Sequence, residues 1–215
     1  VHPIQGINMP DDIGEKHRTI AAETLFEAVR FSKEAPPNSE ARIRAITELR
    51  AYSKEHEIVR EHLRDLLKDD DIFTRILAAE ALSVAGAYSK EAVPVLQMFL
   101  DYARKTGQVD HYHAWLAICF LALMHYGTRA ISALPSVLFY IYRQDNVRLK
   151  LGAVEVIARF AKTSKASGIL LRGLCSSKMP EVKERARHIV KSKEFREYMG
   201  EKGWKAWLSS TPSGQ

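Results

Sequence analysis

The residues best suited to chemistry sit together in "QVDHYHAW": Asp110, His111 and His113. A carboxylate and two imidazoles form a common metal-donor set. Their spacing argues against that use. Side chains two apart point to different sides of a helix and converge only from a strand or loop. No further Cys or His falls at a zinc-like interval, and HExxH is absent. Asp110 suits a different role, capping the helix that starts just after it. The two cysteines, Cys119 and Cys175, have no local setting that would activate a thiol, and Cys119 lies within the apolar run "AWLAICFLALM" as an inert core residue. A glycine-rich phosphate loop and a GxSxG elbow are both missing. The expectation is a protein without catalytic residues, metal or cofactor.

Charge offers a second kind of chemistry. The chain carries a net +6, unevenly placed: from Asn146 onward 15 Lys/Arg stand against 6 Asp/Glu, and before it 17 stand against 20. A basic third on a near-neutral body fits an acidic partner, nucleic acid included, or a solvated face. The candidate phosphate contacts are Lys150, Arg159, Arg185 and Arg187, with Arg172 and Lys183 beside them. Lys150 and Lys183 also occupy a recurring position that suggests a structural role.

That position belongs to an internal repeat. With Leu82 of "RILAAEALSVAG" as anchor, equivalents fall at Leu49, Leu123, Ile157 and Val190, spaced 33, 41, 34 and 33 residues along the chain. A basic residue stands seven before the anchor as Arg42, Arg75, Lys150 and Lys183, while the third unit has Leu116 there. Each unit continues into a second apolar stretch. "EAVPVLQMFL" and "ISALPSVLFYI" align with Pro94 on Pro135, each expected in the first turn or so of a helix, where a missing N–H costs little. Gly86, Gly127 and "TSKASG" serve as breaks, so each unit is expected to be helix, turn, helix. The alanines at 78, 79, 81 and 85 let backbones approach closely, and no helix pair can bury its apolar face alone. The 41-residue interval holds an insertion of seven or eight residues around "DYARKTGQVDHYH", either a longer helix and a wider turn or a loop that carries function, as loops interrupting a regular array tend to.

The combination "DIFTRILAAEALSVAG…SKEAVPVLQMFL" resembles a HEAT repeat of the short type found in bacterial HEAT-like and phycobilisome-lyase-like proteins. The pattern falls on Asp71, Arg75, Ala78, Ala79, Ala81, Leu82, Gly86 and Pro94. The resemblance covers roughly Ser39 to Lys193. It implies an all-α, right-handed α-solenoid of about five helix pairs with capping helices. It also implies a non-catalytic scaffold that docks a protein partner, an acidic one included, along the concave face made by second helices. Arg104, Lys105, Tyr142, Arg143 and Arg172 are the contacts this suggests. Another group of HEAT-like proteins, the alkylpurine DNA glycosylases, cradles DNA on a basic face with tryptophans and an aspartate. Here Trp115 falls in the apolar run and is expected to be buried, Trp204 and Trp207 fall near the end, and no Trp-x3-Asp spacing occurs.

The expected organisation is a disordered segment at 1–11, an N-terminal capping helix and linker at 12–38 with Ser39 capping the next helix, and repeats at 39–193. A C-terminal capping helix at 194–210 and a tail at 211–215 complete it. Apolar residues make up 46% and charged residues 27%, as in soluble proteins, and 11 glycines with 8 prolines are too few for a turn-rich β protein. The longest apolar run is 11 residues, Ala114 to Met124, against about 20 for a membrane span. The N-terminal stretch has no apolar core of signal-peptide length. Two cysteines imply no disulfide framework and suggest a cytoplasmic setting.

Overall fold

The computed structural model describes residue 25 and residues 27–200 except 163 and 198. Among the described residues the chain is all α-helical, with no strand. Helical residues 27–34 form α1, followed by α2 (Glu40–Tyr52), α3 (Glu57–Leu66), α4 (Ile72–Ala85), α5 (Ser89–Thr106) and α6 (His113–Tyr126). A 3-10 segment, Gly127–Ala133, leads into α7 (Leu134–Tyr142), then α8 (Val147–Phe160), α9 (Lys165–Leu174) and α10 (Pro180–Lys191). A short helical run over 193–197 follows.

Local chemistry sets these boundaries. Ser39 accepts the Arg42 N–H at 3.2 Å, Asp71 the Thr74 N–H at 2.9 Å, Asn146 the Leu149 N–H at 3.2 Å and Ser164 the Ser167 N–H at 3.2 Å. Each side-chain oxygen satisfies a donor that the first helical turn leaves open. At the other end of α4, Gly86 takes φ 64°, the left-handed cap that a side chain would strain. Arg129 lies over this glycine and donates to its carbonyl, tying the 3-10 segment to the end of α4.

The helices pack in a regular sequence. α2, α4, α6, α8 and α10 each lie against the next in that order, while α3, α5, α7 and α9 pack mainly on these first helices. The anchors Leu49, Leu82, Leu123 and Ile157 are fully buried, and so are Ala78 and Ala79. Gly152 shows how close the approach is: a Cβ there would meet Phe120 Cδ2 at 2.9 Å. Val190 differs. It is half-buried, and its neighbour Ile189 turns inward instead. Beyond α10, Phe195 of the short helical run is buried in the same core.

Several local expectations are corrected. Pro94 is the sixth residue of α5, because that helix already begins at Ser89. Gly168 is buried inside α9, with Ser164 rather than the glycine marking the break. Asp110 does not cap α6: the N-cap is Tyr112, without a side-chain bond, and His113 Nδ1 lies 2.9 Å from the Asp110 carbonyl. Trp115 is half-buried, since it sits on the first turn of α6 at the edge of the core, 4.5 Å from the Phe73 ring. The insertion lengthens α5 to 18 residues and adds the turn over 107–112. His113–Tyr142 is long and apolar enough, at mean hydropathy 1.3, to pass as a membrane span by composition. It is not one helix, however, because Gly127 (φ 56°, ψ −130°) and the 3-10 segment divide it into α6 and α7. The N-terminal cap before residue 25, Trp204 and Trp207, and the rest of the C-terminal cap lie outside the described residues.

Candidate functional site

The basic residue seven before each anchor acts between units. Arg42, on the first turn of α2, is buried. Its Nη2 donates to the Lys33 carbonyl at 2.6 Å, and its Nη1 reaches Asp69 and Thr74 Oγ1 at 3.4 Å. It thus joins the end of α1 to the turn before α4. Lys150 on α8 reaches Glu181 of α10 at 3.2 Å, and this contact, after the carboxylate's own backbone hydrogen bond, holds Glu181 below the usual carboxylate range. Lys183 opens the last unit and has no such partner among the described residues.

Arg75 breaks the pattern. It is half-buried and makes no hydrogen bond or ion pair among the described residues; its Nε is shielded from water without an acceptor, as is that of Arg42. The sequence register explains why. Arg42 is served by Asp69 and Thr74, and 41 residues on from those stand Asp110 and Trp115. Trp115 has no acceptor oxygen, and Asp110 is exposed and forms no ion pair with Arg75.

A groove of about 460 Å³ opens beside this guanidinium. Its lining comes from α4 (Ile72, Phe73, Arg75), α5 (Met98, Phe99, Tyr102), Tyr112 of the inserted turn, and Asp70 and Asp71. Phe99 forms the floor, fully buried, with Tyr112 edge-on at 5.5 Å and Tyr102 stacked at 6.4 Å. Tyr102 is 46% exposed, and Met98 is exposed as well. The Tyr112 phenol is pushed up chiefly by its hydrogen bond with the Tyr102 hydroxyl, and then by burial. Asp71 is occupied as the α4 cap, accepting from Thr74 N and Oγ1.

Along the first helices runs a polar seam. Arg50 Nε lies 2.9 Å from Glu80 Oε1, and burial pushes the Glu80 carboxyl up despite this partner. Ser83 Oγ donates to the Glu80 carbonyl at 2.6 Å and lies 3.1 Å from His125 Nδ1. Burial, followed by the charges of Arg50, Arg159 and Lys54, holds His125 below the usual histidine value. Further along, Arg185 pairs with Glu155, and both line a small cleft with Arg159 and His188.

The sequence candidates fall in several places. Arg104 lies over the Phe139 ring at 5.6 Å and pairs with Asp101 at 3.5 Å, which brings the end of α5 near the end of α7 where Tyr142 and Arg143 are exposed. Lys105 is exposed beside Arg104, while Arg172 stands on α9, packed between α8 and α10. Of the basic set, Lys150 and Arg185 are held by carboxylates, and Arg187 Nε donates to the Cys175 carbonyl at 2.9 Å. Arg159 is exposed and lines the cleft with Arg185. His111 packs edge-on against Tyr112 at 4.8 Å, away from any convergent donor set: no group of three His, Cys, Asp or Glu placed for a metal occurs among the described residues. Cys119 is buried and its thiol is pushed well up by desolvation. The aromatic groove was not anticipated as a site. The signal for it lay in the 41-residue register, which sets Tyr112 and Trp115 where the preceding unit has Asp71 and Thr74.

No family model matches this chain, and a search of the curated proteins likewise returns no match.

Proposed function

We propose that the protein is a non-catalytic, HEAT-like scaffold, an α-solenoid of about five helix pairs that docks a protein partner along its second helices. The observation that carries this reading is the large apolar side chains these helices present to water. Ile58 on α3 is 75% exposed, Tyr142 at the end of α7 is 55% and Ile169 on α9 is 59%, with Met98 and Tyr102 on α5. The core uses other residues, so these side chains are available to a partner, and flat aromatic groups beside arginine are the types that anchor interfaces. The stacking of first helices supports the same reading, since it supplies a rigid row from which second helices can project.

The test is affinity capture with the full chain beside Tyr142→Asp and Ile169→Asp. Exposed positions tolerate such changes in stability, so the variants should melt as the parent does while losing a partner that the parent retains. A partner held equally by both variants, or substrate turnover by the parent, would overturn the reading. Nucleic acid is the competing ligand for the basic third. Its affinity would fall with a log–log salt slope near −0.9 per phosphate contacted. We expect no gel shift at about 50 mM salt with micromolar protein, because the ion pairs at Lys150 and Arg185 already neutralise charge that phosphate would need.

A further inference from the structure

We propose that the aromatic groove at the inserted turn takes a lysine or arginine side chain from a peptide segment of a protein partner, its charge matched by Asp70 and its stem laid against the rings. This rests on the scaffold reading and names the partner's chemistry at one place on it.

The rings supply the first half of the site. Phe99, Tyr102 and Tyr112 form a triangle with centroid separations of 5.5, 6.0 and 6.4 Å. Phe99 is its fully buried floor, while Tyr102 is 46% exposed. A cation over an aromatic face, within about 6 Å of the centroid, is attracted by the π-system. The chain uses this contact elsewhere: Arg64 lies over Tyr88 at 4.9 Å and Arg104 over Phe139 at 5.6 Å. Among the described residues no arginine or lysine lies over Tyr102 or Tyr112 in this way, so the exposed Tyr102 ring is available to an outside cation. The groove measures about 460 Å³, enough for a basic side chain with an apolar neighbour, and the exposed thioether of Met98 adapts to that neighbour.

Charge selects the guest. Asp70 and Asp71 line the groove against one guanidinium, Arg75. The bonds to Asp71 come from the neutral donors of Thr74, and Asp70 is exposed without an ion pair among the described residues. A third carboxylate, Asp110, is exposed on the same turn as Tyr112. This excess of negative charge favours a cation and repels a chain of phosphates or an acidic peptide. Lysine and arginine also bring a methylene stem that covers apolar surface while the charged head stays in water. Arg75 opposes such a guest, and that gives the test a sign.

The experiment selects phage-displayed random peptides on the full chain and measures the selected sequences as fluorescein-labelled peptides. Parent protein should enrich a Lys or Arg adjacent to Phe, Tyr, Trp, Leu or Met. Asp70→Asn should weaken the selected peptide about two- to fivefold, the scale of one solvent-exposed ion pair. Arg75→Gln should tighten it by a similar factor, because the opposing charge is gone. Both variants should melt as the parent does, since neither side chain makes a hydrogen bond or ion pair among the described residues. Tyr102→Leu, which keeps bulk without the π-face, should weaken the peptide as well. No enrichment, enrichment of acidic or uncharged sequences, equal affinity for Asp70→Asn, or unchanged or weaker binding by Arg75→Gln would each overturn the proposal. So would displacement by choline at the peptide's own concentration, which marks a small-amine site, or self-association that Asp70→Asn abolishes, which makes a second copy the occupant. Peptides that bind through Tyr142 and Ile169 but ignore Asp70 would overturn it while leaving the scaffold reading in place.

Discussion

Replacing Arg42 by methionine should destabilise the protein by about 2–3 kcal/mol, whereas the same change at Arg75 should leave stability within about 0.5 kcal/mol. Methionine keeps most of the apolar stem, so the comparison isolates the guanidinium. Removing one buried partner of an ion pair costs about 3–5 kcal/mol when the other charge is stranded. Asp69 is not fully stranded: its side chain is 20% exposed and it also accepts the Asp71 N–H at 2.9 Å. The Lys33 carbonyl loses a charged donor at 2.6 Å, worth about 1.5–3 kcal/mol. Because Asp69 stays partly hydrated and bonded and water reaches both groups, much of each loss is recovered, which leaves about 2–3 kcal/mol, below the figure for a stranded charge. For a chain of this size the Arg42 variant should melt about 5–10 °C lower. At Arg75 no bond is lost; both arginines carry a shielded Nε without an acceptor, so that contribution cancels in the comparison. Urea denaturation of the two variants and the parent decides the matter. Equal losses at both positions would refute the claim that the fold uses Arg42 and leaves Arg75 spare.

Leu82→Ala should cost roughly 2–5 kcal/mol through the cavity left at a fully buried contact, against about 0.5 kcal/mol or less for exposed Glu57→Ala; similar melting temperatures would put the anchor assignment wrong. Gly152→Ala should cost about 1–3 kcal/mol, because the new Cβ meets the Phe120 ring at 2.9 Å, and an unchanged urea midpoint would refute the close approach of α6 and α8. His62, whose Nε2 lies 2.7 Å from Ser32 Oγ, is held below the usual histidine value by burial and then by Lys33, with Asp65 opposing. Its folded form binds fewer protons than the unfolded chain, so its contribution is complete above about pH 6.5 and is lost as pH falls through the depressed value. His62→Gln should therefore flatten the fall in urea midpoint between about pH 7 and pH 5, and an unaltered slope would count against the buried contact.

The parts of the fold legible in the sequence are those where packing dictates residue type. Leu49, Leu82, Leu123 and Ile157 stand at one recurring position because each is enclosed by neighbouring helices, and periodic burial leaves a periodic sequence. Val190 shares the sequence position without the full enclosure, since Ile189 beside it is equally apolar and the pattern does not say which of the two turns inward. Caps were legible where a side-chain oxygen does the capping, as at Ser39, and illegible at α6, where Tyr112 precedes the helix without a side-chain bond. Trp115 misled because an apolar run marks a helix that packs, not which of its turns lies at the edge of the core. The groove beside Arg75 was harder still. Arg42 and Arg75 are the same residue at the same repeat position, and what separates them is the partner each meets across a turn.

The succession of first helices, each lying on the next, has a consequence for how the chain comes apart. Contacts of this kind join segments about one unit apart in sequence, and such local topology favours rapid assembly. It also means that, among the described residues, no single element packs extensively against both α2 and α10. Opening can then proceed unit by unit, because each first helix is held chiefly by its immediate neighbours. Pulled along the row, the molecule would lengthen in discrete steps rather than all at once.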